Sequence, residues 1–271
     1  MVAQDIGCST LTFHMLSLDE ALERIAALGF SAIDLAMIAE FCPHADPHAD
    51  RAGRARVARA IAAAGLRVTS INAWSLEFVN DASDAERDHI RGALRIAEAV
   101  GAPVVTMQPG GPVPPDDRAE TAPVVAEQLN ALGAEAQAAG IALAVEAPHM
   151  GTFAEEFEAA CGLVDLLDPD TLGVALDTSH VLNGGGTIDQ ALARYGPRVL
   201  HVHLRDYRDG SIFVTPGDGV IDFAEVIGGL AALGYRGGFS AELEYEEESA
   251  DVSEREAVRA LAYFRRITQS A

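Results

Sequence analysis

Five times in this chain a helix-forming stretch stops at a glycine and a short apolar run follows at once. The stops are Gly29, Gly65, Gly101, Gly140 and Gly234, and the runs cover residues 32–36, 66–72, 103–108, 141–146 and 238–244. Glycine suits these positions because it takes the left-handed conformation that closes a helix. Runs at 6–9, 172–177 and 198–204 bring the expected strands to eight. Between them lie capping-box pairs that predict helix starts: Ser17 with Glu20, Ser83 with Glu86, Thr152 with Glu155, Thr187 with Gln190, Asp222 with Glu225 and Ser253 with Glu256. Two further helices, near 50–64 and 118–139, lack a clean box but are rich in alanine. Strand, helix, strand in repetition means parallel pairing through right-handed crossovers. Eight such units in 271 residues predict an α/β fold, a single (β/α)8 TIM barrel over 1–271, with an open doubly wound sheet as the weaker choice. The Pro/Gly-rich stretch 109–117 reads as a long loop over the C-terminal face of the barrel.

Strand side chains alternate, and a barrel strand faces helices on one side and the barrel axis on the other. In the fifth to eighth runs, Leu143 and Val145, Leu172, Val174 and Leu176, Leu200, Val202 and Leu204, and Phe239, Ala241 and Leu243 form the helix-facing sets. The opposing sets are small residues that end in an ionisable one: Glu146, Asp177, His203 and Glu242. Their separations of 31, 26 and 39 residues are each about one strand–helix unit, so all four are expected on consecutive strands at one height of the catalytic face. Three carboxylates meeting there would repel unless protonated or joined by a cation. A divalent metal ion resolves the conflict, and oxygen-rich ligation with one imidazole suits Mn2+ or Mg2+, with Co2+ as a further option.

Composition excludes several partners. With 41 acidic and 19 basic residues the formal charge is −22, which disfavours nucleic acid and an anionic membrane surface. Apolar residues make up 49% of the chain, enough for a large core. Cys8, Cys42 and Cys161 are odd in number and far apart, so neither a disulfide framework nor a cysteine zinc site is expected. With no leader-like start and no apolar run long enough to span a bilayer, a cytoplasmic home is expected.

The chain resembles the sugar isomerases and epimerases with a xylose-isomerase-like barrel, a superfamily that also holds inosose dehydratase, 3-dehydroshikimate dehydratase and a metal-dependent apurinic endonuclease. The likeness runs through Gly29-Phe30-Ser31-Ala32-Ile33-Asp34-Leu35, Val145-Glu146-Ala147-Pro148-His149 and Leu176-Asp177-Thr178-Ser179-His180. It is strongest over His201-Val202-His203-Leu204-Arg205-Asp206 and continues through Pro216-Gly217-Asp218-Gly219 to Glu242. The resemblance implies that Glu146, Asp177, His203 and Glu242 bind the metal, and that Glu146 and Glu242 are the catalytic pair moving protons on opposite faces of a hydroxyketone. It also implies a sugar or polyol ketone as the small-molecule substrate. The chain departs from the ketose 3-epimerases at Asp209, where they carry an arginine, and at Thr152, where they carry a substrate-binding glutamate. It lacks the endonuclease's Asp-x-His pair after the seventh strand, where Tyr207-Arg208-Asp209-Gly210-Ser211 stands instead.

Candidate substrate-binding residues are His180 and His149, each three residues past a ligand carboxylate, Arg205 at a strand exit, Gln108 at the end of the fourth strand, and Trp74 after the third. His201 is expected as a hydrogen-bonded core histidine, and Glu244 either supports the site or begins the acidic run 244–248. The leading expectation is a divalent-metal-dependent isomerase or epimerase working through an enediolate. A lyase is the alternative, either a dehydratase of a cyclic ketone or an enzyme cleaving a C–C or C-glycoside bond. A third class is a barrel that only binds a metabolite or serves as one subunit of a heteromer. A homodimer, a homotetramer and a heteromer all remain open. The charge balance of the acidic nest favours an uncharged polyol ketone over a phosphate ester.

Overall fold

The expected apolar runs become the staves of one ring. In the computed structural model, which describes residues 6–74, Phe78 and 84–269, the strands are β1 (Ile6–Ser9), β2 (Ala32–Ala36), β3 (Arg67–Asn72), β4 (Val104–Met107), β5 (Ala142–Glu146), β6 (Leu172–Asp177), β7 (Val199–Leu204), β8 (Asp206–Arg208), β9 (Ser211–Val214) and β10 (Gly238–Ala241). The helices are α1 (Leu18–Ala27), α2 (Arg51–Ala63), α3 (Asp84–Val100), α4 (Arg118–Ala138), α5 (Phe157–Leu166), α6 (Thr178–Asn183), α7 (Ile188–Tyr195), α8 (Phe223–Ala232) and α9 (Ala250–Gln269). The closed barrel runs β1-β10-β7-β6-β5-β4-β3-β2, every pair parallel, and β8 with β9 forms an antiparallel hairpin after β7. This is a single (β/α)8 TIM barrel. No helix among the described residues is long and apolar enough to cross a membrane.

Local signals account for most boundaries. All five predicted stops have positive φ, between 69° and 91°. Ser17 and Thr187 form complete capping boxes, and Asp222 accepts from Ala224 and Glu225. Asp50 caps α2 by accepting from the Gly53 amide. Two boxes fail. Thr152 lies in a loop and donates to the His149 carbonyl at 2.7 Å, while α5 starts only at Phe157. Ser253 lies inside α9, whose first turn is held instead by Ser249 Oγ, accepting from the Val252 amide at 3.2 Å. Ser83 lies outside the described residues.

The alternation holds on the helix side, where Leu143, Val145, Val174, Leu176, Val202 and Phe239 join the main core. Leu200 breaks it. The β6–β7 register shifts between Val174 and Ala175, so Val199 pairs with Val174, His201 with Ala175, and Leu200 is the extra residue. It packs with Val104, Ala144 and Ala175 on the barrel floor, against Gly173, where an added Cβ would lie 2.2 Å from Leu200 Cδ1. The eighth barrel strand ends at Ala241, so Glu242 and Glu244 stand just beyond it.

Candidate metal and active site

Each of the four axial residues comes from the C-terminal end of its strand. Glu146 ends β5, Asp177 ends β6, His203 is the penultimate residue of β7, and Glu242 follows β10. Asp177 lies level with His203 and Glu146 with Ala175, so the strand stagger sets Glu146 lower and its longer side chain makes up the difference. All four are buried, with at most 4% exposure. His203 Nδ1 lies 3.0 Å from Glu146 Oε1 and 3.1 Å from Glu242 Oε2. One ligand atom from each of the four lies within 4.8 Å of the others. Donors around one divalent ion stand about 3–4.4 Å apart, so small side-chain adjustments close the set. Asp177 supports the fit. Its Oδ1 caps α6, accepting from the Ser179 amide and hydroxyl and the His180 amide, whereas buried Oδ2 has no hydrogen-bond partner.

In the absence of a cation the cluster settles its charge through protons. Burial opposes charge on His203, but Glu242 and Glu146 on either side raise its pKa well above the ordinary histidine value. Burial would also raise Glu146, yet the His203 cation and its hydrogen bond prevail and hold that carboxyl below the usual range. Burial pushes Glu242 up to about 8, against the pull of His203 and Arg205 and with help from the Glu146 and Asp177 charges. Two glutamates on one imidazole are thus pulled apart in the metal-free cluster.

The other expected residues surround this set. Gln108 Nε2 donates to Glu146 Oε2 at 2.8 Å. Arg205, buried, pairs with Glu244 at 2.6 Å and lies 3.8 Å from Asp177 and 4.0 Å from Glu242. Met150 N donates to His180 Nδ1 at 3.4 Å, which leaves His180 Nε2 to carry the hydrogen. Burial lowers the His180 pKa to about 3, so the ring is a neutral donor. Its ring lies 4.2 Å from that of His149, whose Nδ1 donates to the Met150 carbonyl at 2.7 Å. Trp74 forms part of the wall of a cavity of about 200 Å³ that also takes in Glu146, Glu242, Gln108, His149, His180 and Arg205. His201 lies deeper, with Nε2 3.0 Å from Ser70 Oγ. Asp206 touches none of the ligands; it accepts from the amides of Tyr207, Gly217, Gly219 and Ile221 and so fixes the loop behind the hairpin.

Several residues escaped the sequence reading. Asn72, at the end of β3, donates to Glu242 Oε1 at 3.4 Å, and its place at a strand end was a usable signal. Leu11, Ile38, Phe41, Met150, Ile212 and Phe213 make the rest of the cavity wall largely apolar. Their loops carry no strand-end pattern to mark them. Asp34, fully buried in β2, accepts from Ser9 Oγ and Ser70 Oγ beneath His203. A last signal was in plain view: all 19 basic residues are arginine, and the chain has no lysine.

Comparison with known proteins agrees with this architecture. The family described as "Xylose isomerase-like TIM barrel" matches residues 22–267. Inosose dehydratase of Bacillus anthracis is 33% identical over 145 residues, covering 47% of this chain and 48% of the relative. The chain spans about half the length of the curated relatives it matches. Among solved structures, a D-tagatose 3-epimerase-like protein superposes with a TM-score of 0.78 at 20% identity, covering 98% of both chains. The IOLI protein with a bound zinc atom superposes at 0.74 and 20% identity, over 96% of this chain and 97% of that one.

Proposed function

The chain belongs to the xylose isomerase-like TIM-barrel family, and from that premise we propose that it is a divalent-metal-dependent isomerase or epimerase of an uncharged polyhydroxylated ketone or aldose. The observation that carries this reading is the convergence of Glu146, Asp177, His203 and Glu242, one ligand atom of each within 4.8 Å of the others. These four would hold the ion, Mn2+ or Mg2+ by the hardness of the oxygen donors, with Co2+ open and Zn2+ suggested by the IOLI neighbour. A divalent ion there supplies Lewis-acid stabilisation of the charge that grows on the substrate oxygen. Glu146 takes the proton next to the carbonyl and leaves an enediolate; Glu242, on the other side, returns a proton that it gains from a substrate hydroxyl or solvent. Return to the same carbon on the opposite face is epimerisation, and transfer to the neighbouring carbon is isomerisation. His180 Nε2–H and Gln108 are placed to meet substrate hydroxyls, with His149 and Trp74 beside them.

Two features narrow the chemistry. With no lysine, the chain cannot activate a carbonyl as a lysine Schiff base, which leaves electrostatic stabilisation as the route to an enolate. Arg205 is the one Lys or Arg side chain on the cavity wall among the described residues, and its charge is already paired with Glu244.

A second reading is a lyase, favoured by the inosose dehydratase relatives. The first proton transfer is the same; Glu242 then protonates a departing β-hydroxyl, which leaves as water. Incubation of Mg2+-loaded protein with ketoses and inososes in D2O, followed by NMR, separates the two. Deuterium next to the carbonyl with all hydroxyls retained supports the isomerase or epimerase. A new alkene or enone supports the lyase, and absence of exchange with every substrate overturns both.

A further inference from the structure

Asp34 has no task in the function proposed above, yet it is costly to keep. It lies mid-strand in β2 with no exposure, and burial raises its pKa. Its Oδ2 accepts from Ser9 Oγ at 2.9 Å and its Oδ1 from Ser70 Oγ. Ser70 has one proton, given to Asp34, so its oxygen accepts from His201 Nε2 at 3.0 Å. Two neutral hydroxyls alone compensate a buried carboxylate poorly.

The remaining partner lies on the opposite side. His203 turns Nδ1 toward Glu146 and Glu242, and a neutral imidazole that gives its lone pair through Nδ1 must carry its hydrogen on Nε2. His203 Nε2 is buried without a hydrogen-bond partner, and Asp34 Oδ2 lies 3.8 Å from it. We infer that Asp34 is a positioning residue for His203, accepting Nε2–H when Nδ1 closes on a divalent ion and so fixing the tautomer and angle of the ring. The gap exceeds a hydrogen bond by less than about 1 Å, within reach of a small ring rotation. A carboxylate behind a ligand histidine raises the basicity of its lone pair and restricts its orientation. The inference rests on the metal reading of the proposed function.

Asp34, His201 and His203 also place ligand atoms within 4.8 Å of one another, which raises a second ion site as the competing explanation. The hydrogen bonds speak against it. Both Asp34 oxygens already hold a hydroxyl proton, His201 Nε2 donates to Ser70, and neither Asp34 nor His201 lines the cavity.

The test uses Zn2+, which is diamagnetic, on the full chain and its Asp34→Asn variant. Zinc affinity and stoichiometry come from competition titration, the His203 tautomer from long-range ¹H–¹⁵N correlation of the ring nitrogens, and the metal-free unfolding midpoint is recorded alongside. We expect one zinc in each protein, affinity about 10–100-fold weaker in the variant, and an altered His203 Nε2–H signature. Should Asp34→Asn not fold, Ser70→Ala and Ser9→Ala, which loosen the same carboxylate, are expected to lose affinity several-fold. Unchanged affinity and an unchanged ring signature overturn the inference alone. A second zinc in the wild type that Asp34→Asn removes overturns it in favour of direct ligation. Failure of the wild type to bind zinc, Mn2+ or Mg2+ overturns the proposed function and this inference with it.

Discussion

The two halves of the barrel contribute different things to one cavity. From β5 onward come Glu146, Asp177, His203, Glu242 and Arg205, which carry the charge. From β1 to β4 and their loops come neutral donors and apolar walls: Asn72 and Gln108 against the carboxylates, then Leu11, Ile38, Phe41 and Trp74. The division shows how a nest of acids is tolerated in a buried mouth. One half concentrates the anions where a cation can answer them, and on the cavity wall the other orients their spare lone pairs without adding charge, since its buried carboxylate Asp34 lies off that wall.

Breaking the charged half is expected to have the largest effect. Asp177→Ala removes an oxygen that has no hydrogen-bond partner, and we expect metal binding and turnover to fall below detection while the metal-free protein stays folded by circular dichroism. Glu146→Gln keeps the shape and removes the base; kcat is expected to drop by about 10²–10⁴-fold in steady-state assays. Ligand binding and phenotype left intact in that variant would point to the non-catalytic class.

Proton competition comes next. In the metal-free protein Glu242 titrates near 8 and His203 well above its ordinary value, so both hold protons that an ion must displace. Metal affinity is therefore expected to fall by at least about tenfold per pH unit below that point, measured by titration between pH 6 and 8. The same shift has a stability consequence. Because the folded pKa of Glu242 exceeds its ordinary 4.5, its contribution to metal-free stability is full below 4.5 and is lost as pH rises to about 8. Melting curves with and without Mg2+ should diverge over that window.

The apolar wall, to which the charged half adds Phe213, is expected to answer more mildly. Trp74, after β3, and Phe213, on the hairpin after β7, stand four staves apart in the eight-membered ring, so they face each other across the mouth. Trp74→Ala or Phe213→Ala should raise KM about tenfold, equivalent to ~1.4 kcal/mol, with kcat nearly unchanged. A kcat loss equal to that of Glu146→Gln would erase the distinction between apolar wall and charged cluster.

Much of the fold was legible because its signals are local. The glycine stops and two complete capping boxes lie within a few residues of what they determine, and eight alternating units leave few topologies. The convergence of Glu146, Asp177, His203 and Glu242 was legible for a related reason, since side-chain alternation assigns a face without knowledge of the neighbour. Thr152 and Ser253 misled because a capping pattern states only what a segment can do, while tertiary packing decides where the helix begins. Leu200 was misplaced because one inserted residue in a strand pair inverts the alternation locally, and register is a property of two strands.

By itself the sequence determined a ring of parallel strands, a strongly acidic molecule without lysine, and four ionisable residues at consecutive strand ends. Only the tertiary structure decided which His203 nitrogen meets the carboxylates, that Asn72 and Gln108 hold those carboxylates from the far half, and that Asp34 stands behind the ring. Those are distances across a barrel. They depend on stagger, register and close packing among residues far apart in the chain, which no local pattern encodes.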